Sequence, residues 1–528
     1  MLFDRSGPAY DFEVALGGDG GKGGASISSI LLKTSNTLRH MIIDGNTINS
    51  GDKFPCDICI LGAGAAGITI ARELESLNLK TVLIESGGTE PQPQTQELYK
   101  GKISGLNYDL AGSRSRFFGG STNCWVGLIA ELDAIDFKRR SSIPYSGWPI
   151  TKEDLQSHYL KARDMLDSGD YSDFPFALPN QSGTMPNSSD KPLYISEKIV
   201  TKRYDIRPKR FLEFYSELGL SKNTQVFLNS NAVDLIPGEF VKQISSVKIR
   251  TLGGKEFSIL PKKVIVALGG IETPRLLLAS NSVAQNGIGN DQNLVGRFFM
   301  EHPHIDNKAN LLSFTSGFEY HLPDFKQLFY TAFSVAEEVK EKEGLLNAAM
   351  FILTNSSLES DSTGRGISEL NRNAFKITPQ SLYRIGNPCE QSPNPDSRVT
   401  LTQERDALGM PVVNLDWKLA SFDIESLHRS NEIFGHEIGA SGLGRYQIQF
   451  QKDEVFEEVT GGNHHMGTTR MASSPDQGVV DRHCKVFGMA NLYVAGSSVF
   501  PTGGAANPTL TILALAYRLA DHIKDTYA

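Results

Sequence analysis

The residues with the clearest chemical potential lie near the C-terminal end of the chain. His464 and His465 stand just ahead of a Gly-Thr turn, and Asn507 precedes a Pro-Thr pair that is typical of a helix start. A neutral imidazole can accept a proton near pH 7, and an amide can orient an oxygen atom. One side chain of each kind, delivered from two separate loops, therefore predicts a small acid/base site.

The same residues do not predict a metal centre. Side chains of adjacent residues generally diverge, so His464 and His465 are poorly placed to chelate one ion. No other group of His, Cys or carboxylate residues has a metal-ligand spacing. We therefore expect no metal.

A glycine-rich turn near the other end of the chain predicts a dinucleotide site. Gly62, Gly64 and Gly67 form a GxGxxG pattern that follows a short apolar strand, 56–61, and opens a helix. The first glycine allows the tight turn, the second lets a pyrophosphate approach the backbone, and the third lets the helix pack on the strand. Glu85 ends the next strand, where a carboxylate can bind ribose hydroxyls. The pattern alone does not distinguish FAD from NAD.

Three other motifs have competing interpretations. Loop 114–125 is dense in glycine and small polar residues, so it is either a surface for a flat ring system or an ordinary glycine turn. Cys56 and Cys59 form a CxxC, but residues three apart in a strand point to opposite faces, which favours buried cysteines over a redox pair. His302 and His304 are interpreted as structural rather than catalytic.

Composition excludes several classes of protein. The 528-residue chain has a formal net charge of −8 and no run of Lys or Arg, which argues against a nucleic-acid partner. Its five scattered cysteines do not form a secreted disulfide framework. We find neither a signal-peptide pattern nor an apolar run long enough to span a bilayer. We therefore expect a soluble, cytoplasmic protein without a membrane partner.

Taken together, these motifs resemble those of the glucose-methanol-choline (GMC) oxidoreductases, a family of flavoenzymes. The resemblance extends over most of residues 41–528 and includes the glycine turn with Glu85, the second glycine loop FFGGSTN, and the C-terminal HxxGT and NPT motifs. Segments 264–280 and 294–303 resemble two further family signatures. Within the family, segments 146–162 and 495–511 are most similar to pyranose oxidases, glycoside oxidases and related sugar dehydrogenases.

The resemblance implies an α/β protein with two parts. A doubly wound, Rossmann-like FAD-binding domain would carry a sheet-plus-helix substrate-binding domain. Residues 1–40 would be an N-terminal extension without an assigned role. Residues 41–305 and 458–528 would form the two parts of the FAD-binding domain, and residues 306–457 would form the substrate-binding domain.

The resemblance also implies roles for individual residues. His464, rather than His465, would take the proton of a substrate hydroxyl while flavin N5 accepts hydride from the same carbon, with Asn507 as its partner. Several relatives have a His at the position of Cys124, and in some of them that His is linked to the flavin, so non-covalent FAD is the first expectation here and a cysteinyl link is the alternative. The expected contacts of FAD are Gly62, Gly64, Ala65, Ala66, Gly67, Glu85, Arg116, Gly119, Gly120, Ser121, Asn123, Cys124, Val233, Ser497 and Thr509.

The expected reaction is the oxidation of an alcohol to a carbonyl. Hydroxyls of sugars and glycosides are candidate substrates, and oxygen or another acceptor would take the electrons. Three alternatives stay open: a non-redox, lyase-type reaction with structural FAD, a non-catalytic flavoprotein, and an NAD-dependent dehydrogenase. The sequence does not determine the oligomeric state.

Overall fold

The computed structural model describes residues 41–168, 193–238, 242–306, 308–315, 318, 329–356, 381–451 and 459–527, so the predicted extension 1–40 lies outside the described residues. The strands are β1 (Ile42–Asp44), β2 (Lys53–Leu61), β3 (Thr81–Ile84), β4 (Lys102–Ile103), β5 (Leu128–Ile129), β6 (Ile199–Ile206), β7 (Thr224–Leu228), β8 (Asn231–Pro237), β9 (Ile244–Arg250), β10 (Glu256–Val266), β11 (Pro303–His304), β12 (Ala309–Ser313), β13 (Phe329–Val335), β14 (Met350–Ser356), β15 (Ser381–Gly386), β16 (Arg398–Arg405), β17 (Pro411–Asp416), β18 (Gly444–Ile448), β19 (Thr460–Gly461) and β20 (Leu492–Val494). The α-helices are α1 (Ala65–Leu74), α2 (Pro93–Gln96), α3 (Ala134–Phe137), α4 (Gln156–Met165), α5 (Tyr215–Gly219), α6 (Gly269–Ala279), α7 (Glu337–Glu343), α8 (Ser421–Ala440) and α9 (Thr509–Asp525).

The larger sheet has eight strands and is mainly parallel. Its order is β1-β7-β3-β2-β10-β9-β8, with β20 also pairing with β10, and only the β8 and β9 pairings are antiparallel. The apolar run at the end of β2 is fully buried, as expected for a parallel strand covered on both faces. The predicted unit of strand, glycine turn, helix and strand is confirmed as β2, α1 and β3.

The closing helix α9 covers this sheet together with two earlier helices. The Tyr159 hydroxyl on α4 lies 2.8 Å from the Thr511 hydroxyl on α9. Lys524 near the end of α9 lies 2.9 Å from Glu73 on α1. The predicted Rossmann-like layer of helices and parallel strands is therefore confirmed.

The second sheet has seven strands, all antiparallel, in the order β18-β12-β15-β14-β13-β6-β5. Helix α8 covers it, since Phe434 and Ile438 share one apolar cluster with Leu311, Phe333 and Tyr383 from the strands. This is the sheet-plus-helix arrangement that the resemblance implied. Strands β5 and β6 enter it from before residue 306, although the chain division at 305/306 stays a prediction.

Two short pairings hold the segments that carry the predicted site. β11 and β19 are antiparallel, with Pro303 opposite Gly461 and His304 opposite Thr460. A further bridge joins Met300 to Met466. Segments 300–304 and 460–466 consequently run side by side, although they are about 160 residues apart in sequence. Among the described residues, no helix is long and apolar enough to cross a lipid bilayer.

Candidate active site

The loops at the carboxyl edge of the parallel sheet meet the segment that carries His464. β10 lies between β2 and β20, so the loops that follow these three strands are neighbours. The Ser497 hydroxyl, after β20, donates to the His465 carbonyl oxygen at 2.6 Å. The Thr468 hydroxyl donates to the carbonyl oxygen of Gly270, after β10, also at 2.6 Å. The glycine turn after β2 and the predicted acid/base residues therefore share one edge of the sheet, where ligands of doubly wound folds bind.

The structure brings His464 and Asn507 together. The Asn507 amide nitrogen lies 3.1 Å from His464 Nε2. Asn507 stands two residues before the start of α9, as the sequence predicted. The other ring nitrogen of His464, Nδ1, lies 2.9 Å from Nδ1 of His302. His302 was interpreted as structural from the sequence, but its side chain contacts the predicted base directly.

A buried carboxylate fixes the loop that presents His464. Glu301 accepts hydrogen bonds from the backbone N–H of Gly462 at 3.0 Å, of His464 at 2.9 Å and of His302 at 3.0 Å. The Tyr108 hydroxyl also donates to Glu301. Because three backbone N–H groups can only donate, a carboxylate satisfies them better than any neutral side chain.

The environment of the site keeps its imidazoles neutral. Burial lowers the pKa of His464 well below the ordinary value of 6.5, and the nearby rings of His302, His304 and His465 lower it further. Burial also lowers the pKa of His302 to about 4 and that of His465 to about 3. At neutral pH His464 is therefore uncharged and able to accept a proton.

His465 lies in different surroundings from its neighbour. Its Nε2 atom lies 2.7 Å from the Tyr108 hydroxyl oxygen, and its ring stacks on Phe299. The side chain is 9 % exposed and belongs to the packing around Tyr108 rather than to the pair with Asn507. The preference for His464 over His465 as the base stays a prediction.

The glycine turn has the geometry of a dinucleotide cradle. Gly62 has a φ of +104°, and a Cβ on Gly67 would lie 1.9 Å from the Gly62 carbonyl oxygen. A Cβ on Gly120 would lie 3.0 Å from the Cα of Gly64, so the two glycine loops meet backbone to backbone. The N-cap residue of α1 is Gly64, which has no side chain to bind the first backbone N–H groups of the helix, so these stay available to an anionic group. These features fit the pyrophosphate of FAD.

Glu85 is fixed at the end of β3. Its two carboxylate oxygens accept hydrogen bonds from the backbone N–H groups of Ala63 and Gly87, each at 3.0 Å. Burial raises the pKa of Glu85, while these bonds and the charge of Arg116 oppose the rise. The Ser86 hydroxyl also donates to the oxygen that accepts from Gly87, at 3.3 Å, and the other oxygen keeps a further lone pair that can accept from a ribose hydroxyl.

Arg116 has its own partners inside the protein. Its guanidinium lies 3.1 Å from the carboxylate of Glu272 and 3.3 Å from the amide oxygen of Asn231, and it stacks over Tyr99. Arg114 lies 3.0 Å from the same carboxylate. The structure therefore places this predicted cofactor residue in a buried ion network behind the second glycine loop.

The remaining predicted cofactor residues are dispersed around the two glycine loops and the strand ends. Three of them make hydrogen bonds within the second glycine loop: Ser121 accepts from the Ser115 N–H, Asn123 donates to the Phe118 carbonyl oxygen, and the exposed Cys124 accepts from the Ser115 hydroxyl at 3.2 Å. Gly119, in the same loop, has a φ of +96°. Ala65 and Ala66 open α1, Thr509 opens α9, and Val233 is buried in β8. Their contacts with FAD stay predictions.

In the part of the chain that the structure describes, neither the cysteine pair nor the acidic and histidine residues form another centre. Cys56 and Cys59 are both buried in β2, and burial raises the pKa of Cys56 to about 12. Within the described part of the chain, no group of three or more His, Cys, Asp or Glu side chains could hold a metal ion.

Family models identify the cofactor and the class. Residues 57–283 match the model of FAD dependent oxidoreductases, and residues 393–516 match that of the GMC oxidoreductases. The cradle, the adjoining imidazole and the first match define an FAD-dependent oxidoreductase. The second match is more specific: residues 393–516 carry the GMC oxidoreductase domain that the sequence motifs implied.

Individual relatives cover nearly the whole chain. The 2-methyl-1,2-propanediol dehydrogenase of Mycolicibacterium austroafricanum is 23% identical over 89% of this chain and 96% of its own. The fructose dehydrogenase large subunit of Gluconobacter japonicus is 22% identical over 90% of this chain and 98% of its own. The crystal structure of pyridoxine 4-oxidase from Mesorbium loti matches with a TM-score of 0.55 at 17% identity, covering 89% of this chain and 99% of that one, which shows a common fold.

Proposed function

We propose that this protein oxidises an alcohol to a carbonyl, with His464 as the base and Asn507 as its partner. The observation that supports this most is the approach of the Asn507 amide to His464 Nε2, at 3.1 Å, on the sheet edge that also carries the dinucleotide cradle. Two polar groups that converge from separate loops can hold one hydroxyl between them.

In the proposed reaction, each residue acts on the substrate oxygen. His464 Nε2 accepts the hydroxyl proton, and the Asn507 amide donates a hydrogen bond to the same oxygen and orients it. FAD, when bound, would supply the hydride acceptor, so that loss of the proton and of a hydride from the carbinol carbon would leave a carbonyl. The low dielectric around the ring strengthens both contacts.

The proposed substrates are small polyols, sugars and glycosides. The support comes from the relatives, since one is a diol dehydrogenase and another is a fructose dehydrogenase subunit. Reoxidation by oxygen or by another acceptor is consistent with relatives that include dehydrogenases and a structural neighbour that is an oxidase.

The test is anaerobic bleaching of the flavin by a panel of sugars, glycosides and diols. We expect at least one to reduce the flavin, and we expect His464→Ala to keep FAD but slow that reduction by about 10²- to 10⁴-fold. His436→Ala is the matched control, because the His436 side chain is 73% exposed on α8. Reduction of His464→Ala at the normal rate would refute the role of His464. A panel that never bleaches the flavin would favour a non-redox reaction.

A further inference from the structure

We propose that His302 is a positioning residue that fixes the tautomer of His464, so that Nε2 is the nitrogen without a proton. The proposal rests on the proposed function, in which Nε2 is the basic atom. It assigns a role to a side chain that is 1% exposed and whose ring meets that of His464 edge to face, with centroids 4.9 Å apart.

The hydrogen-bond chain determines where the protons lie. His302 Nε2 is 3.3 Å from the Gly503 carbonyl oxygen, and a carbonyl can only accept, so the His302 proton is on Nε2. A neutral His302 then has a bare Nδ1. That atom is 2.9 Å from His464 Nδ1, and a hydrogen bond between two nitrogens needs one proton, which is therefore on His464 Nδ1.

The far side of the His464 ring agrees with this assignment. With the proton on Nδ1, Nε2 carries a lone pair, and the Asn507 amide nitrogen at 3.1 Å can donate to it. The opposite tautomer would set two bare Nδ1 atoms against each other at 2.9 Å, with no proton between them. The buried ring of His302 excludes water that could otherwise satisfy that arrangement.

The backbone keeps His302 in this position. Its N–H donates to Glu301, and it precedes β11, which pairs with β19 just before His464. Burial and the backbone arrangement therefore hold the rings of His302 and His464 in contact before any substrate binds. When His464 takes the substrate proton, Nδ1–H can donate more strongly to His302, which stabilises the imidazolium.

Two nearly isosteric variants of the FAD-loaded protein test the role. In His302→Asn the side-chain oxygen stands as many bonds from Cα as Nδ1 does, so it can still accept from His464. The leucine of His302→Leu has nearly the same shape as that asparagine, but it has no hydrogen-bond acceptor. We expect His302→Asn to reduce its flavin within a few fold of the wild-type rate and His302→Leu to be slower by about 10²-fold, with the loss in the limiting rate of flavin reduction rather than in substrate affinity.

Every outcome of this comparison is informative. Equal slowing of both variants, or normal rates in both, would overturn the proposal. Normal reduction by His464→Ala would instead refute the proposed function itself, whatever the His302 variants do. If His302→Leu does not fold, nitrogen NMR of the wild-type holoenzyme with labelled histidine reports the tautomer directly. We expect a protonated Nδ1 and a bare Nε2 for His464, and the reverse would overturn the proposal.

Discussion

Glu301→Gln is the substitution that tests the architecture of the site most directly. Glu301 lies beneath the His464 loop, is 0% exposed, and binds three backbone N–H groups and the Tyr108 hydroxyl. Glutamine has the same shape but replaces one acceptor oxygen with a donor and removes the charge. The variant therefore changes the hydrogen bonds without opening a cavity.

The geometry allows the cost to be worked out. The amide oxygen can take the place of Oε2, which is 3.0 Å from the N–H groups of Gly462, His302 and His464. The amide nitrogen then replaces Oε1, where the Tyr108 hydroxyl can turn and accept from it, but where it also faces the His464 N–H at 2.9 Å. Three charge-assisted bonds become neutral bonds, each weaker by about 1 kcal/mol, and the lost penalty for burying a charge offsets part of this. We expect a net destabilisation of about 2 kcal/mol.

Thermal melting of the FAD-loaded protein and anaerobic flavin reduction measure the two consequences. Glu341→Gln is the matched control, since that carboxylate is 46% exposed in a surface ion pair with Lys138. We expect Glu301→Gln to melt clearly below the control and to reduce its flavin more slowly, because the His464 backbone is held less firmly. If Glu301→Gln melts together with Glu341→Gln, the carboxylate does not anchor the loop and the reasoning is wrong.

Two further outcomes follow from the same geometry. The first concerns pH: a base acts when it is neutral, and the pKa of His464 lies well below 6.5. The rate of flavin reduction should therefore stay level as the pH falls through 6.5 and decline only at lower pH. A decline centred on pH 6.5 in a pH series would contradict the burial argument. The second is that Gly462→Ala should slow flavin reduction, because the added Cβ would lie 2.8 Å from both His464 Nδ1 and His304 Nε2. Gly439→Ala is the control, since a Cβ there would have no neighbouring atom within 4 Å. Equal rates for the two variants would count against the crowding argument.

Local patterns predicted those parts of the protein that depend on neighbours in sequence. The glycine turn, α1 and the two flanking strands fall within about 30 residues, so strand hydrophobicity and the GxGxxG spacing were sufficient to place them. Asn507 was placed correctly ahead of α9 because Pro-Thr is a local helix-start signal. These features need no knowledge of the remaining fold.

The residues that hold His464 in place could not be predicted from the sequence, because their role depends on contacts between distant segments. Nothing near Tyr108 or Glu301 in sequence indicates that they meet beneath His464. His302 stands in the segment MEHPH, which resembled a family signature, but the contact with His464 appears only once β11 pairs with β19. The contact of Arg116 with the cofactor stays a prediction, but its ion pair with Glu272, more than 150 residues away, could not be predicted from the sequence.

The two adjacent histidines show how a fold places identical side chains in different surroundings. One carboxylate, Glu301, accepts from the backbone of His464 and from the hydroxyl of Tyr108, which in turn reaches His465. It therefore holds one ring toward Asn507 and the other in the packing around Tyr108, although its bond to His464 is with the backbone and not with the ring. In the proposed mechanism the choice of base thus depends on backbone geometry, so a substitution at Glu301 should impair His464 without altering the chemistry of the imidazole itself.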